Sequence, residues 1–260
     1  MNDFIKILIA FLLISNFLIS QELIIENERD KPETILFIGN SFTFYWNLPS
    51  LVESMAHEKG ISLDIYQSTV GGATLKDHWE GKRGLESKKV LKEHVFSTII
   101  LQDHSTSPLL KTNESKEYFN RFIKLINKKK SEVILYGTWT YPASPLIGKS
   151  FIGADPIQYV LKPIADQTNS RMAPVGTAFR LFQEKHPEIS VFTSDNKHPS
   201  AVGTYLAACV YLKMLTGESP LGLQRRYERK DEHGKKVFLG MVEKGVALKC
   251  QKLVDEMEIK

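Results

Sequence analysis

The sequence predicts an α/β protein whose parallel sheet is covered by helices on both faces. Three observations point there. Short apolar runs alternate with helix-like segments along the chain. Several of those runs are continuous and β-branched, as strands buried on both faces are. The connections between them are short, which suits a β-α-β-α order.

The elements follow in chain order. Asn2, Asp3 and Lys6 open the chain, and Ile7–Leu18 is apolar except for Ser15 and Asn16. A charged head before an apolar run of roughly 7–15 residues is the shape of a secretory signal. We therefore expect residues 1–20 to be a removed leader, cut after Ser20 although Leu18 is large for its place. The mature protein would be secreted or periplasmic, with one domain over residues 31–260. The competing expectation is an uncleaved anchor, but about 16 apolar residues fall short of the ~20 that span a bilayer. No cysteine lies near this segment to carry a lipid.

Thr34–Ile38 is a continuous apolar run and reads as the first buried strand. Asn47 is placed to cap a helix with Pro49 in its first turn; Leu48, Leu51, Val52 and Met55 form its stripe, and Gly60 stops it. Ile61–Tyr66 alternates as a strand does, Ser97–Leu101 and Glu132–Tyr136 are short and β-branched, and Ala173–Val175 reads as a fifth strand. Between them, Tyr118–Leu125 carries a helical stripe and Asp155–Thr168 opens on Asp155-Pro156. Ala201–Thr216 is strongly helical and ends at Gly217, and Leu239–Met257 reads as an amphipathic closing helix. Thr140–Ala154, with Pro142, Pro145, Gly148 and Gly153, is a long loop of the kind that serves as a lid.

Composition sets bounds. The chain has 260 residues, 42% hydrophobic and 25% charged, with a net charge of +4, which is ordinary for a globular protein. Lys128–Lys130 and Arg225-Arg226 are short runs that a solvated surface explains, so no nucleic-acid partner is expected. Cys209 and Cys250 fall in apolar helical patterns and read as small core residues, with no disulfide framework and no metal-ligand spacing.

In parallel α/β sheets the binding crevice lies beyond the carboxyl ends of the strands. Ser41 follows the first strand in Gly39-Asn40-Ser41. A serine on a tight turn before a helix can meet a base and backbone donors, both of which acyl transfer needs. Asp195 and His198 are three residues apart, just before the Ala201 helix; a histidine is the usual base for serine, and a carboxylate fixes its tautomer. Gly71-Gly72 after the second strand allows a backbone N–H close to a ligand, and Gln102 ends the third strand with an amide that can donate. Each feature alone also has a plain structural reading. Together they put nucleophile, base, orienter and donors on one rim.

These residues resemble a known family. GNS at Gly39–Ser41, a glycine after the second strand and DxxH at Asp195–His198 followed by Pro199 resemble, in order and spacing, the blocks of the SGNH/GDSL hydrolases. The resemblance covers roughly Thr34 to Thr216. It implies a flavodoxin-like three-layer α/β/α sandwich of about five strands. It implies hydrolysis of acyl esters, often O-acetyl groups on carbohydrates, without a cofactor or metal. Carried over, Ser41 is the nucleophile, His198 the general base and then acid, and Asp195 the orienter. The N–H groups of Ser41 and Gly72 and one side-chain amide would bind the oxyanion. The family's third block is typically GxND; here Leu101–Ser105 reads LQDHS, and Gln102 is the natural substitute for the asparagine.

His78, after the glycine turn, and Trp139, after the fourth strand, lie where substrate could sit. An aromatic there can stack on a sugar or cover the end of the core. The expected protein is a monomeric ester hydrolase acting on a small-molecule or glycan ester, without stable membrane insertion once the leader is removed. An acyltransferase on the same residues is the alternative within enzymes; a non-catalytic glycan-binding module is the alternative outside them. The seven histidines show no ligand pairing that would favour a metal-dependent hydrolase.

Overall fold

The computed structural model describes residues 32–141 and 155–259. The expected leader and all but the first two residues of the expected lid loop lie outside the described residues. Five strands form the main sheet: β1 (Glu33–Gly39), β2 (Leu63–Thr69), β3 (Thr98–Leu101), β4 (Glu132–Tyr136) and β5 (Arg171–Ala173). Their order is β2-β1-β3-β4-β5. Ile35 lies beside Thr98, Thr98 beside Glu132 and Ile134 beside Arg171, all in parallel register. This is a doubly wound order whose direction of winding reverses between β1 and β3, where such sheets open a crevice.

Side-chain alternation divides the core in two. Ile35, Phe37, Ile100, Ile134 and Tyr136 point into one cluster; Leu36, Ile38, Ile99, Leu101, Val133 and Leu135 point into the other. The first is covered by α2 (Leu48–Glu58), α8 (Val175–Lys185), α9 (Ala201–Thr216) and α10 (Lys244–Glu256). The second is covered by α3 (Leu75–Glu80), α4 (Ser87–Glu93), α6 (Thr112–Asn127) and α7 (Pro156–Thr168). Two four-residue helices, α1 (Ser41–Phe44) and α5 (Ser107–Leu110), sit after β1 and β3. The result is the expected three-layer α/β/α sandwich.

Several expected elements take shape as read. Asp155 caps α7 by accepting from the Ile157 N–H at 2.9 Å, with Pro156 in the first turn. In α9 every residue from Gly203 to Leu212 is buried, so the helix is apolar nearly all round and packs as a central core element. Gly203 is needed there: a Cβ would meet the Val191 carbonyl oxygen at 2.2 Å. Cys209 and Cys250 are buried free thiols.

Three readings are corrected. Leu239–Met257 is not one helix: Arg226–Lys230 (β6) and Lys236–Met241 (β7) form an antiparallel hairpin, and helix α10 starts only at Lys244. Asp231 closes the hairpin turn by accepting from the N–H groups of His233 and Lys235. Tyr227 is the one buried residue of β6, so its charged sequence hid the strand. The fifth strand ends at Ala173, because Pro174 interrupts it and Val175 already begins α8. Asn47 does not cap α2 with its side chain. It is left-handed (φ 57°), and its Nδ2 donates instead to the Leu239 carbonyl at 3.1 Å. No helix among the described residues is long and apolar enough to cross a membrane.

Candidate active site

Ser41 is the first residue of α1, immediately beyond β1. Asn40 caps this short helix: its Oδ1 accepts from the Phe42 N–H at 3.1 Å, and its Nδ2 donates to the Ala73 carbonyl at 2.9 Å. One side chain thus ties the serine turn to the glycine turn after β2.

His198 arrives from the other end of the chain. Its Nε2 lies 2.9 Å from Ser41 Oγ, and its Nδ1 lies 2.6 Å from Asp195 Oδ2. A proton on Nδ1 satisfies the carboxylate and leaves Nε2 to accept from the serine hydroxyl. The other carboxylate oxygen accepts from Thr193 Oγ1 at 2.7 Å and from the N–H groups of Lys197 and His198 at 2.9 Å each. Burial acts to raise the Asp195 pKa, but the His198 ring, the Thr193 hydroxyl and the two backbone donors outweigh it. They hold the carboxyl well below the usual carboxylate range.

The turn that carries this pair is built locally. Asn196 adopts a left-handed φ of 55°, and the Asn196 N–H donates to the Thr193 carbonyl at 3.0 Å. Ser200 then caps α9 through the Gly203 N–H, so the turn is fixed to the most buried helix of the fold. Aromatic rings hold the imidazole from two sides. Tyr45 stacks on it with centroids 4.3 Å apart and planes 11° apart, and Phe42 meets it edge-on at 5.6 Å.

Gly72 stands on the same cleft, an opening of about 420 Å³ that Ser41, Tyr45, His104, Ser105, Lys197 and His198 also line. It sits third in a turn closed by the Ala73 N–H donating to Val70, where its φ of 70° is the left-handed value a type II turn requires. Neither the Ser41 nor the Gly72 N–H donates to a described residue.

Three residues nominated from the sequence take other roles. Gln102 is fully buried, and its amide is spent inside the protein: Oε1 accepts from Asn40 N–H and Thr43 Oγ1, both at 2.9 Å, and Nε2 donates to the Asp103 carbonyl. It holds the serine turn from beneath and donates nothing to the cleft. Gly39 is needed for that contact rather than for a special φ, since a Cβ would lie 2.5 Å from Gln102 Oε1. His78 is also fully buried. Its Nε2 lies 2.9 Å from the Gly39 carbonyl and its Nδ1 2.6 Å from Ser87 Oγ, which in turn lies 2.8 Å from Ser68 Oγ. Burial pushes its imidazole down to about 4, so the ring is neutral, donating from Nε2 and accepting at Nδ1.

Trp139 is the third. It is 1% exposed and stacked between Phe42 and Phe179, with centroids 4.5 and 4.4 Å away. No sugar can reach its face. Its Nε1 donates instead to the Lys197 carbonyl at 3.1 Å.

Asp103 is buried as well. Its carboxylate accepts from the N–H groups of Leu75 and His104 and from Ser115 Oγ, tying the end of β3 to α3 and α6. Burial raises its pKa against those three donors. Sequence reasoning did not single out Tyr45, His104 or Lys197. Position was the signal for two of them, since His104 follows β3 on the rim and Lys197 precedes His198. Nothing local marks Tyr45 among its aromatic neighbours. Among the described residues no group of three or more His, Cys, Asp or Glu side chains could hold a metal ion.

The sequence matches no protein-family model and no curated protein. Solved structures do resemble it. A DUF4886 family protein from Bacteroides uniformis superposes with a TM-score of 0.65 at 18% identity, over 86% of this chain and 94% of that one. A proposed SGNH hydrolase from Slackia heliotrinireducens gives 0.60 at 20% identity, over 71% and 100%. A lipase/acylhydrolase from Enterococcus faecalis gives 0.57 at 18%, over 71% and 96%. The chain has the α/β/α fold of the SGNH/GDSL hydrolases.

Proposed function

We propose that this protein is a serine ester hydrolase that cleaves acetyl or other short acyl esters, including those on carbohydrates, after export under the direction of residues 1–20. The observation that carries the reading is the hydrogen-bonded chain from Ser41 Oγ through the His198 ring to the Asp195 carboxylate.

The steps follow from that chain. Ser41 Oγ attacks the ester carbonyl while its proton passes to His198 Nε2. Asp195 stabilises the imidazolium that forms. The carbonyl oxygen, now negative, takes the N–H groups of Ser41 and Gly72, donors aimed at charge that develops only in the transition state. The tetrahedral centre collapses, His198 returns the proton to the leaving alcohol oxygen, and the acyl group stays on Ser41. Water then enters, His198 takes its proton, and a second collapse releases the acid and restores Ser41. The cleft is open to water and the Asp195 side chain is 46% exposed, which favours water over a sequestered acceptor alcohol. The modest cleft suits a short acyl group.

The test uses the mature protein with a fluorophosphonate probe, beside Ser41→Ala, followed by a screen of aryl acetates and acetylated polysaccharides. Labelling and turnover confined to the wild type are expected. A folded wild type that neither labels nor turns over any ester sinks the proposal.

A further inference from the structure

Resting on that reading, we infer that the preferred ester carries a negative charge close to the scissile bond, recognised by Lys197, Arg83 and His104 around the cleft. Lys197 and His104 line the cleft with Ser41. An adjoining hollow of about 300 Å³ shares Gly72 and His104 with it and ends at Lys111. Arg83, beyond the end of α3, lines neither hollow, but its Nη1 lies 3.9 Å from where a side chain on Gly72, which lines both, would begin.

The acids nearby are already engaged. Asp195 is committed to His198, and Asp103 is buried under three donors. Asp77 accepts from the N–H and hydroxyl of Thr74 in a capping box, and Glu114 pairs with Lys76 at 2.9 Å and Lys111 at 3.9 Å. Among the described residues neither Lys197 nor Arg83 has a carboxylate within ion-pair distance. Lys197 Nζ sits 5.5 Å over the Tyr141 ring, a contact that leaves its charge unneutralised.

The backbone gives a second, independent sign. Arg83 is left-handed (φ 58°), between Gly81 (φ 70°) and Gly84 (φ 76°). A non-glycine residue in that region is unfavourable unless asparagine-like, and strain of this kind gathers at ligand sites. Here it holds a guanidinium at the edge of the glycine turn. His104 is half-buried, and burial together with the Lys197 charge lowers its pKa. The neutral ring keeps an N–H that can donate to an anion drawn in by Lys197. A carboxylate on the acid half of the ester and one on the alcohol half offer the same charge to these groups.

The experiment compares kcat/KM for three esters: 4-nitrophenyl acetate, mono-4-nitrophenyl succinate with the charge on the acyl side, and 4-acetoxybenzoate with the charge on the leaving side. Each anionic ester is run beside its methylated counterpart, in wild type, Lys197→Gln, Arg83→Gln and the double variant. In wild type, one anionic ester should beat its neutral counterpart. That ratio should fall about tenfold in the double variant and on adding salt, as charge steering does, with Lys197→Arg restoring it. The ester that shows the drop identifies the charged half. Equal ratios in wild type and variants overturn the inference while leaving the hydrolase reading intact. Turnover of no ester by folded wild type overturns both.

Discussion

Trp139 donates its indole N–H to the Lys197 carbonyl at 3.1 Å, while its ring lies flat against Phe42. Phe42 follows Ser41, and Lys197 precedes His198. One side chain therefore spans the two segments that must meet at the serine. Trp139→Phe keeps much of the stacking and loses the donor. We expect kcat to fall about tenfold, since a small misplacement of a reacting group is costly, with a lowered Tm. Lys197→Gln keeps the bond, because the acceptor is backbone, and should not reproduce the loss in Tm.

Ser41→Ala and His198→Ala should each lower kcat on the order of 10⁶-fold, and Asp195→Asn on the order of 10⁴-fold. The Ser41→Ala/His198→Ala double variant should be little worse than either single one, because the groups act as one unit. Steady-state kinetics on an activated ester checks this; losses that multiply would count against a shared mechanism.

Tyr45 lies parallel to the His198 ring at 4.3 Å. Tyr45→Phe keeps that face, and Tyr45→Leu removes it. A flat partner limits imidazole rotation. We expect Tyr45→Leu to lose about fivefold in kcat, a loss of about 1 kcal/mol, and Tyr45→Phe to keep most of it. Equal rates for the two variants would show that the face does not matter.

Gln102→Ala should act on stability. It strips acceptors from Asn40 N–H and Thr43 Oγ1 in the core, and an unsatisfied buried donor costs about 1–3 kcal/mol. Gly39→Ala should cost a similar amount by pushing against Gln102 Oε1 at 2.5 Å. Chemical unfolding measures both. A Gln102→Ala protein of unchanged stability with kcat reduced 10²–10³-fold would instead restore Gln102 as an oxyanion donor.

Stability should depend on pH through His78. Its folded pKa of about 4 lies below the ordinary 6.5. Between those values the unfolded chain binds a proton that the folded chain refuses, so stability is full above about 6.5 and falls as pH drops to about 4. The loss is about 3 kcal/mol for a shift of this size. Urea midpoints across that window should slope more steeply for the wild type than for His78→Gln, and parallel slopes would refute the assignment.

The sequence by itself marked where the apolar runs of the main sheet lie and the bounds of Ala201–Thr216, and it nominated Ser41, Asp195 and His198, which the fold brings within hydrogen-bond distance of one another. Periodicity reports burial directly, and Asp195 and His198 are close enough in sequence to meet on one turn. The hairpin at Arg226–Met241 was hidden because its first strand, β6, is a charged run whose one buried side chain is Tyr227 and so carries no strand signal. Only the tertiary structure decided what Gln102, His78 and Trp139 do. Gln102 and Trp139 follow the ends of β3 and β4 and His78 lies in α3, and for each the local sequence allows the side chain to face the cleft or the core. The choice is made by partners brought up from elsewhere: Asn40 and Thr43 for Gln102, Gly39 and Ser87 for His78, Lys197 and Phe179 for Trp139. Hydrogen-bond distances of about 3 Å between segments ~40–60 residues apart have no local signature, because they depend on how the layers pack.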